Sequence, residues 1–445
     1  MIKKHLSLFF FLISLIGFSQ VSVDSLQSLF NQRRYQDVVS ITKGSLLTSG
    51  IQDTLSIAQM LSIQSNAFYE LKEYKQAIRR ANASIQLAPN TEAGKNLKGM
   101  MLFDRAFSEY ALEKYQVSYE SVKQAEEVLT TLRNPNLDYL LSIYADIAGT
   151  SIQYGYLDEA EYYILKGLEV YKKNQDQIPS SENTAAKDVL FQYKLIQLYS
   201  AQKLEKKLIL QIRSFTKLKQ GRAFNSIEQL MYVVSLNLVG DFYLNNRDSL
   251  QKDKALEEAE NYLNKALLAL NVDKFPSNEI QIKFNLAKKY RYGEEYDKAL
   301  RLNQDILKKA EKDDSRIPFF YAQQGMIHLN QGHFEKAEQS FFKMISNIHQ
   351  EKDTLKENFS NFYPSQILNH TGLLSEIPEK ILQAFPDNQA ARVLSTKMYS
   401  LALVQFKNCY QKEEFSSKLK TYYDTIIGGL LNTKRSIYLL GFGSM

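Results

Sequence analysis

Tryptophan is absent from the 445 residues, and cysteine occurs once, at Cys409. A lone cysteine excludes an intramolecular disulfide, so no covalent staple holds the fold. Glycine (18) and proline (8) together make about 6% of the chain, where ordinary usage is about 12%; turn formers are too scarce for an all-β fold. An excess of one charge is also missing. Fifty-five basic residues against 49 acidic ones leave +6, a value without a nucleic-acid footprint when Lys and Glu are interleaved. The 44% apolar and 23% charged shares exclude wholesale disorder and a polytopic membrane protein. What is abundant is tyrosine (28) and phenylalanine (25). Such a balance suits a helical fold whose interfaces need large side chains with a wet edge. At about 150 residues per domain the length fits three globular domains or one repeat array, and the composition favours the array.

Met1 to His5 is short and basic, and Leu6 to Phe18 is a 13-residue run broken only by Ser7, Ser14 and Gly17. A bilayer span needs about 20 apolar residues, so the run reads as a signal peptide over residues 1–19. Gly17 and Ser19 satisfy the small-x-small rule for cleavage before Gln20. The mature chain, without Lys3 and Lys4, then carries about +4. An exported protein, periplasmic or secreted, is expected. Membrane association follows only if this segment stays uncleaved or if Ile437 to Met445 begins a truncated membrane helix.

A motif recurs along the rest of the chain. Leu71 to Ala81, followed by Ser84 and Pro89, is echoed at Gly155 to Ala160, Gly293 to Ala299 and Gly332 to Ala337. An apolar helix lies upstream of each, with a small residue (Ser65, Ala148, Ala287 and Gly325) standing 12 positions before Ala77, Ala160, Ala299 and Ala337. Two small residues at this spacing let antiparallel helices approach closely across a short turn, while an intervening aromatic fills the crevice. Tyr35, Tyr74, Tyr115, Tyr156 and Tyr296 sit at or beside this wedge.

The pattern resembles the tetratricopeptide repeat, with Ser65, Ala77, Ser84 and Pro89 on that family's small-residue and proline positions. Weaker copies centre on Val38, Ser118 and Ala259, the last with Gly240 and Ala266 about it, and a poor one on Lys207, where Leu204 replaces the aromatic. Successive marks are 39, 41, 42, 47, 52, 40 and 38 residues apart, longer than the usual 34. The step of 52 contains the polar insertion Asn245 to Lys254. HEAT-like repeats share a period near 40, but the short aromatic turn before each Ala belongs to the tetratricopeptide pattern. The resemblance implies an all-α solenoid, a right-handed superhelix of helix-turn-helix repeats. About eight repeats are expected over residues 20–351, followed by a degenerate, capping helical region over 352–445. In that region Pro364, Pro378 and Pro386 punctuate short segments, Asn361 to Gln366 reads as a loop, and Ala390 to Lys407 and Lys412 to Leu431 read as helices. These helices also faintly resemble the bridge joining bacterial tetratricopeptide arrays to a caspase-related CHAT peptidase domain.

No catalytic, cofactor-binding or metal-ligating residue is expected. His328 and His333 are five apart and do not make the i, i+4 pair of a helical metal site. The other histidines (His5, His349, His370) are isolated, Cys409 has no nucleophile signature around it, and no glycine-rich phosphate loop occurs. The chain is read as non-enzymatic. The family resemblance instead implies a groove lined by the first helix of each repeat, for a protein or peptide partner. Carried over residue by residue, the groove positions are Gln59, Ser62, Asn66 and Tyr69; Phe103, Phe107 and Tyr110; Asn237, Asp241 and Asn245; and Gln281, Phe284, Lys288, Arg291 and Tyr292. Phe103 and Phe107, four apart, equally suit packing against a neighbouring repeat. Lys288 with Arg291 suits either a ligand carboxylate or a solvated face. The chaperone-tail carboxylate clamp is not expected, since Asn66 is matched but Ser62 stands where a Lys is needed. An interaction scaffold is the function implied, with a regulatory array of a larger enzyme or sensor as the alternative.

Overall fold

The computed structural model describes residues 22–45, 53–112, 114–178, 185–311, 314–355 and 365–410, with Gly429. The expected signal segment, and the expected Lys412 to Leu431 helix apart from Gly429, lie outside them. Among the described residues there is no strand, and apart from one 3-10 turn the elements are α-helices.

Two compact units are present, one up to Ile147 together with residues 176–178, the other comprising the rest from Ala148 on. The first holds α1 (Val23–Asn31), α2 (Tyr35–Ser45), α3 (Thr54–Glu70), α4 (Tyr74–Leu87), α5 (Glu92–Ala111) and α6 (Tyr115–Thr130), and α7 (Leu137–Tyr154) begins in it. The second holds α8 (Leu157–Lys173), α9 (Lys187–Ala201), α10 (Glu205–Gly221), α11 (Ser226–Asn245), α12 (Lys252–Ala269) and α13 (Pro276–Tyr292). It continues with α14 (Tyr296–Lys309), α15 (Ile317–Asn330), α16 (Phe334–Leu355), α17 (Ser365–Ala384) and α18 (Gln389–Tyr410). Odd-numbered helices are the first, and even-numbered ones the second, of successive hairpins.

The turn between the two helices has one recurrent geometry. Arg33, Lys72, Gly155, Lys203, Glu294 and Gly332 all have positive φ, two places before the second helix. The next amide then donates back to the first helix, as from Glu73 to the Phe68 carbonyl (2.9 Å) and from Leu204 to that of Tyr199 (3.0 Å). This left-handed closure satisfies carbonyls that the helix end would leave orphaned. Five residues after each positive-φ position comes a side chain with no exposed surface: Val38, Ala77, Ala160, Leu208, Ala299 and Ala337.

That register corrects the Lys207 mark and sharpens two other readings. The mark of the fifth hairpin is Leu208, not Lys207, because its turn residue is Lys203. In the seventh hairpin Gly293 has φ −87°, and Glu294 makes the turn. Tyr156 stands one place too early for the wedge and is 63% exposed; Leu157 holds the equivalent position.

The spacing of 12 is the close approach itself. Ser65 Oγ donates to the Ala77 carbonyl at 2.9 Å, and Ser118 Oγ to that of Ala106 at 2.8 Å. A Cβ on Gly325 would stand 2.4 Å from the Phe341 ring, and one on Gly240 would stand 3.3 Å from the Ala259 carbonyl oxygen. Gly240 thus plays its part at a longer spacing, because residues 246–251 lengthen the connection between α11 and α12.

Each amphipathic helix buries one stripe. In the second unit Val189, Phe215, Leu236, Phe242, Leu263 and Leu286 belong to one apolar cluster running from α9 to α13. Its polar anchor is Glu228, 3% exposed, which accepts two bonds from Arg222 (both 2.9 Å) and one each from the Ala186 and Asn225 amides (both 3.0 Å). With Asn225 it forms a capping box at the start of α11.

The two helices described after residue 364, α17 and α18, are longer than the prolines in the sequence suggested. Pro378 lies inside the 20-residue α17, and its carbonyl accepts from Ser395 Oγ of α18 at 3.3 Å. Leu374 and Ile381 of α17 pack with Leu394 and Met398 of α18 and Phe341 of α16. Of the loop expected over Asn361 to Gln366, residues 361–364 lie outside the described residues, and Ser365 and Gln366 are helical. Among the described residues no helix is long and apolar enough to cross a membrane.

Candidate partner-binding faces

The residues expected to line a groove fall into two sets, one on α3 and α5 of the first unit and one on α11 and α13 of the second. In the first unit, aromatic side chains run across neighbouring first helices. Tyr69 meets Phe107 edge-on at 6.5 Å, Phe107 meets Phe103 at 5.0 Å, and Phe103 meets Tyr139 of α7 at 6.1 Å. Phe103 is buried beneath the others and packs, whereas Phe107 (43%) and Tyr110 (56%) stand exposed, with Tyr69 between. The two phenylalanines therefore divide the roles that four-residue spacing left open.

Beside these rings lies a carboxyl group that the groove positions did not include. Asp104 Oδ2 accepts from Asn66 Nδ2 of α3 (3.2 Å) and from Tyr139 Oη of α7 (3.3 Å). Three consecutive first helices are thus joined at one oxygen, and among the described residues Oδ1 has no donor. Burial pushes the Asp104 carboxyl up to about 7, against the pull of those two hydrogen bonds. Burial, then the neighbouring Asp104 charge, raises the Tyr139 phenol as well. The sequence did carry a signal: Asp104, with Arg105, interrupts the apolar run from Met100 to Phe107.

An amide-rich recess of about 480 Å³ opens nearby, with Gln59 and Ser62 on one side and Asn96 and Asn136 on another. Asn96 pins the connection before α7, donating to the Asn134 carbonyl (3.0 Å) and accepting from the Asn136 amide (2.7 Å).

The second set is internally paired. Lys288 Nζ lies 2.8 Å from Asp241 Oδ1, Asn245 donates to Asp241 Oδ2 at 2.7 Å, and Asn285 donates to Asn237 Oδ1 at 3.0 Å. Phe284 packs on Phe320 at 5.6 Å, and Gln281 is half-buried. Arg291 needs correction as a groove-facing cation. Only 9% of it is exposed, and its guanidinium lies 4.4 Å from the Tyr292 ring, which Arg247 approaches to 3.7 Å. Burial lowers the Arg291 pKa. Burial alone would raise the Tyr292 phenol, but the cations of Arg291, Lys288, Arg247 and Lys380 outweigh it and hold the phenol below its usual value.

His328 and His333 have ring centroids 6.5 Å apart, and Gln331 Oε1 lies 3.3 Å from His328 Nδ1. Among the described residues no group of three or more His, Cys, Asp or Glu is placed to hold a metal ion.

No protein-family model matches the chain, and no curated protein matches it. Solved structures do. The chain is similar to a Rap protein in complex with Competence and Sporulation Factor, with TM-score 0.52 and 14% identity over 88% of this chain and 98% of that one. It is also similar to the apo form of the quorum sensor NprR from B. thuringiensis, with TM-score 0.50 and 11% identity over 92% and 97% of the two chains. These likenesses place the fold among tetratricopeptide-like helical repeat solenoids.

Proposed function

We propose that the chain is a non-catalytic interaction scaffold that holds a peptide, or an extended segment of a protein partner, against the first-helix face of α3, α5 and α7. The observation that carries this reading is the open Oδ1 of Asp104 beside the exposed rings of Phe107 and Tyr110. Aromatic rings give contact area at small entropic cost, and a carboxyl group on the floor bonds a ligand backbone: ionised it accepts from an amide, protonated it also donates to a carbonyl. That a Rap protein of this fold binds Competence and Sporulation Factor supports the reading. A regulatory array within a larger sensor is the second reading, favoured by the fold shared with a quorum sensor. Export remains part of the proposal on the strength of residues 1–19, and sequencing of the mature protein should find Gln20 first.

The test is a peptide-display selection against the full chain. Selected peptides should lose at least tenfold in affinity with Phe107→Ala or Tyr110→Ala, as truncating an interface anchor costs about 2 kcal/mol or more. Peptides that bind both variants as tightly as the parent protein would refute the assignment.

A further inference from the structure

Away from the first-helix face, the second unit has a cleft between two second helices, α10 and α12. It holds about 1510 Å³, well beyond the usual small-molecule site of about 300–1,000 Å³. Tyr232, Leu236 and Tyr243 of α11 form part of its lining. The rings are fixed in place: Tyr232 Oη lies 3.1 Å from Thr216 Oγ1, Tyr243 Oη donates to Glu205 Oε1 at 3.2 Å, and Tyr262 stacks on Tyr243 at 6.2 Å. Leu210 and Leu268 line the cleft with 65% and 89% of their surface exposed.

Charge around this apolar lining is one-sided. Lys206, Arg213, Lys217, Lys219, Lys254 and Lys265 face only Glu205 and Glu258. Among the described residues none of the six cations is in an ion pair, although Lys219 and Lys265 lie over the Tyr232 and Tyr262 rings at 4.6 and 5.2 Å. Several cations elsewhere in the same unit do have carboxylate partners: Lys283 with Glu279 and Asp305, Lys289 with Glu260 and Glu295.

We propose that the cleft between α10 and α12 binds an acidic amphipathic helix from a partner protein. Its apolar stripe covers Leu210 and the tyrosine floor, and its carboxylates meet the six cations. The walls are helices whose backbone groups are already bonded, so an extended peptide would find no backbone partners there, whereas a helix bonds its own. Taking a helix as a cylinder about 10 Å wide, the volume accommodates about 13 residues, between three and four turns. The chain's own residues 411–445 have the wrong sign, with five basic side chains against three acidic ones.

The probe is a fluorescent, stapled 16-residue helix with leucines along one face and glutamates elsewhere, titrated against the full chain by anisotropy. Saturable binding is expected, weakened at least tenfold by Leu210→Glu and by the double variant Arg213→Glu with Lys217→Glu, and weakened by added salt. All three positions are exposed, and circular dichroism checks that the variants fold. Tyr110→Ala should leave this binding unchanged, so failure here is separable from failure of the first-helix face. Absence of binding, equal binding of a lysine-for-glutamate version or of a leucine-free version, or wild-type affinity in the charge-reversed variant would overturn the proposal. So would self-association that Leu210→Glu abolishes, without peptide binding, since the face would then join two copies of the chain.

Discussion

Asp104 is held by two neutral donors, and burial lifts its carboxyl from 3.8 to about 7. A raised carboxylate pKa means that the folded state prefers the protonated form. Stability is therefore full below the unfolded pKa and is lost as pH rises towards the folded one. A shift of about three units at 1.36 kcal/mol each is worth about 4 kcal/mol, with most of the loss between roughly pH 4 and 7. Asp104→Asn removes the titration and keeps an oxygen to accept from Asn66 and Tyr139. Urea unfolding of both proteins between pH 4.5 and 8 should show the variant gaining on the parent by about 3 kcal/mol across that range. The readout should follow the first unit, for instance by hydrogen exchange of α3 and α5, since repeat arrays do not always unfold in one step. A stability difference that stays constant with pH would refute this account of the carboxyl.

The turn geometry and the Glu228 anchor yield three further expectations. Lys72→Gly should stabilise by about 0.5–1 kcal/mol by relieving a left-handed conformation. Gly155→Ala should cost about 1 kcal/mol through φ alone, because nothing lies within 4 Å of its Cβ position; denaturant midpoints read both. Glu228→Ala should destabilise the second unit by about 3 kcal/mol by stranding Arg222 and two amides. Burial works against the Glu228 carboxylate, but Arg222 and the Ala186 and Asn225 amides hold its pKa below 4.5. That stabilisation is present above pH 4.5 and lost as pH falls through the folded value. Parent and variant should therefore converge in acid unfolding curves.

Hairpins were legible in the sequence because their defining contact is local: Ser65 and Ala77 meet at a fixed spacing of 12. Register was less legible, since the left-handed turn site holds Arg33, Lys72, Lys203 or Glu294 as readily as glycine. A glycine one place off, such as Gly293, then misleads by one residue. Pro378 looked like a break, but a helix tolerated it. Phe107 and Tyr110, whose rings are both exposed, stood out from helix position alone. Asp104 did not, because its partners Asn66 and Tyr139 lie 38 and 35 residues away on other helices. Neither did the burial of Arg291, which depends on Tyr292 and Arg247 closing over it.

The central claim is that a partner lies on the first-helix face of the first unit. A benzophenone amino acid placed at Phe107 or Tyr110, and at the exposed second-helix residue Tyr162 as a control, tests it in cells that make the protein. Irradiation should yield one discrete cross-linked partner from positions 107 and 110 and none from 162. The same adducts from all three positions, or none from 107 and 110, would contradict it.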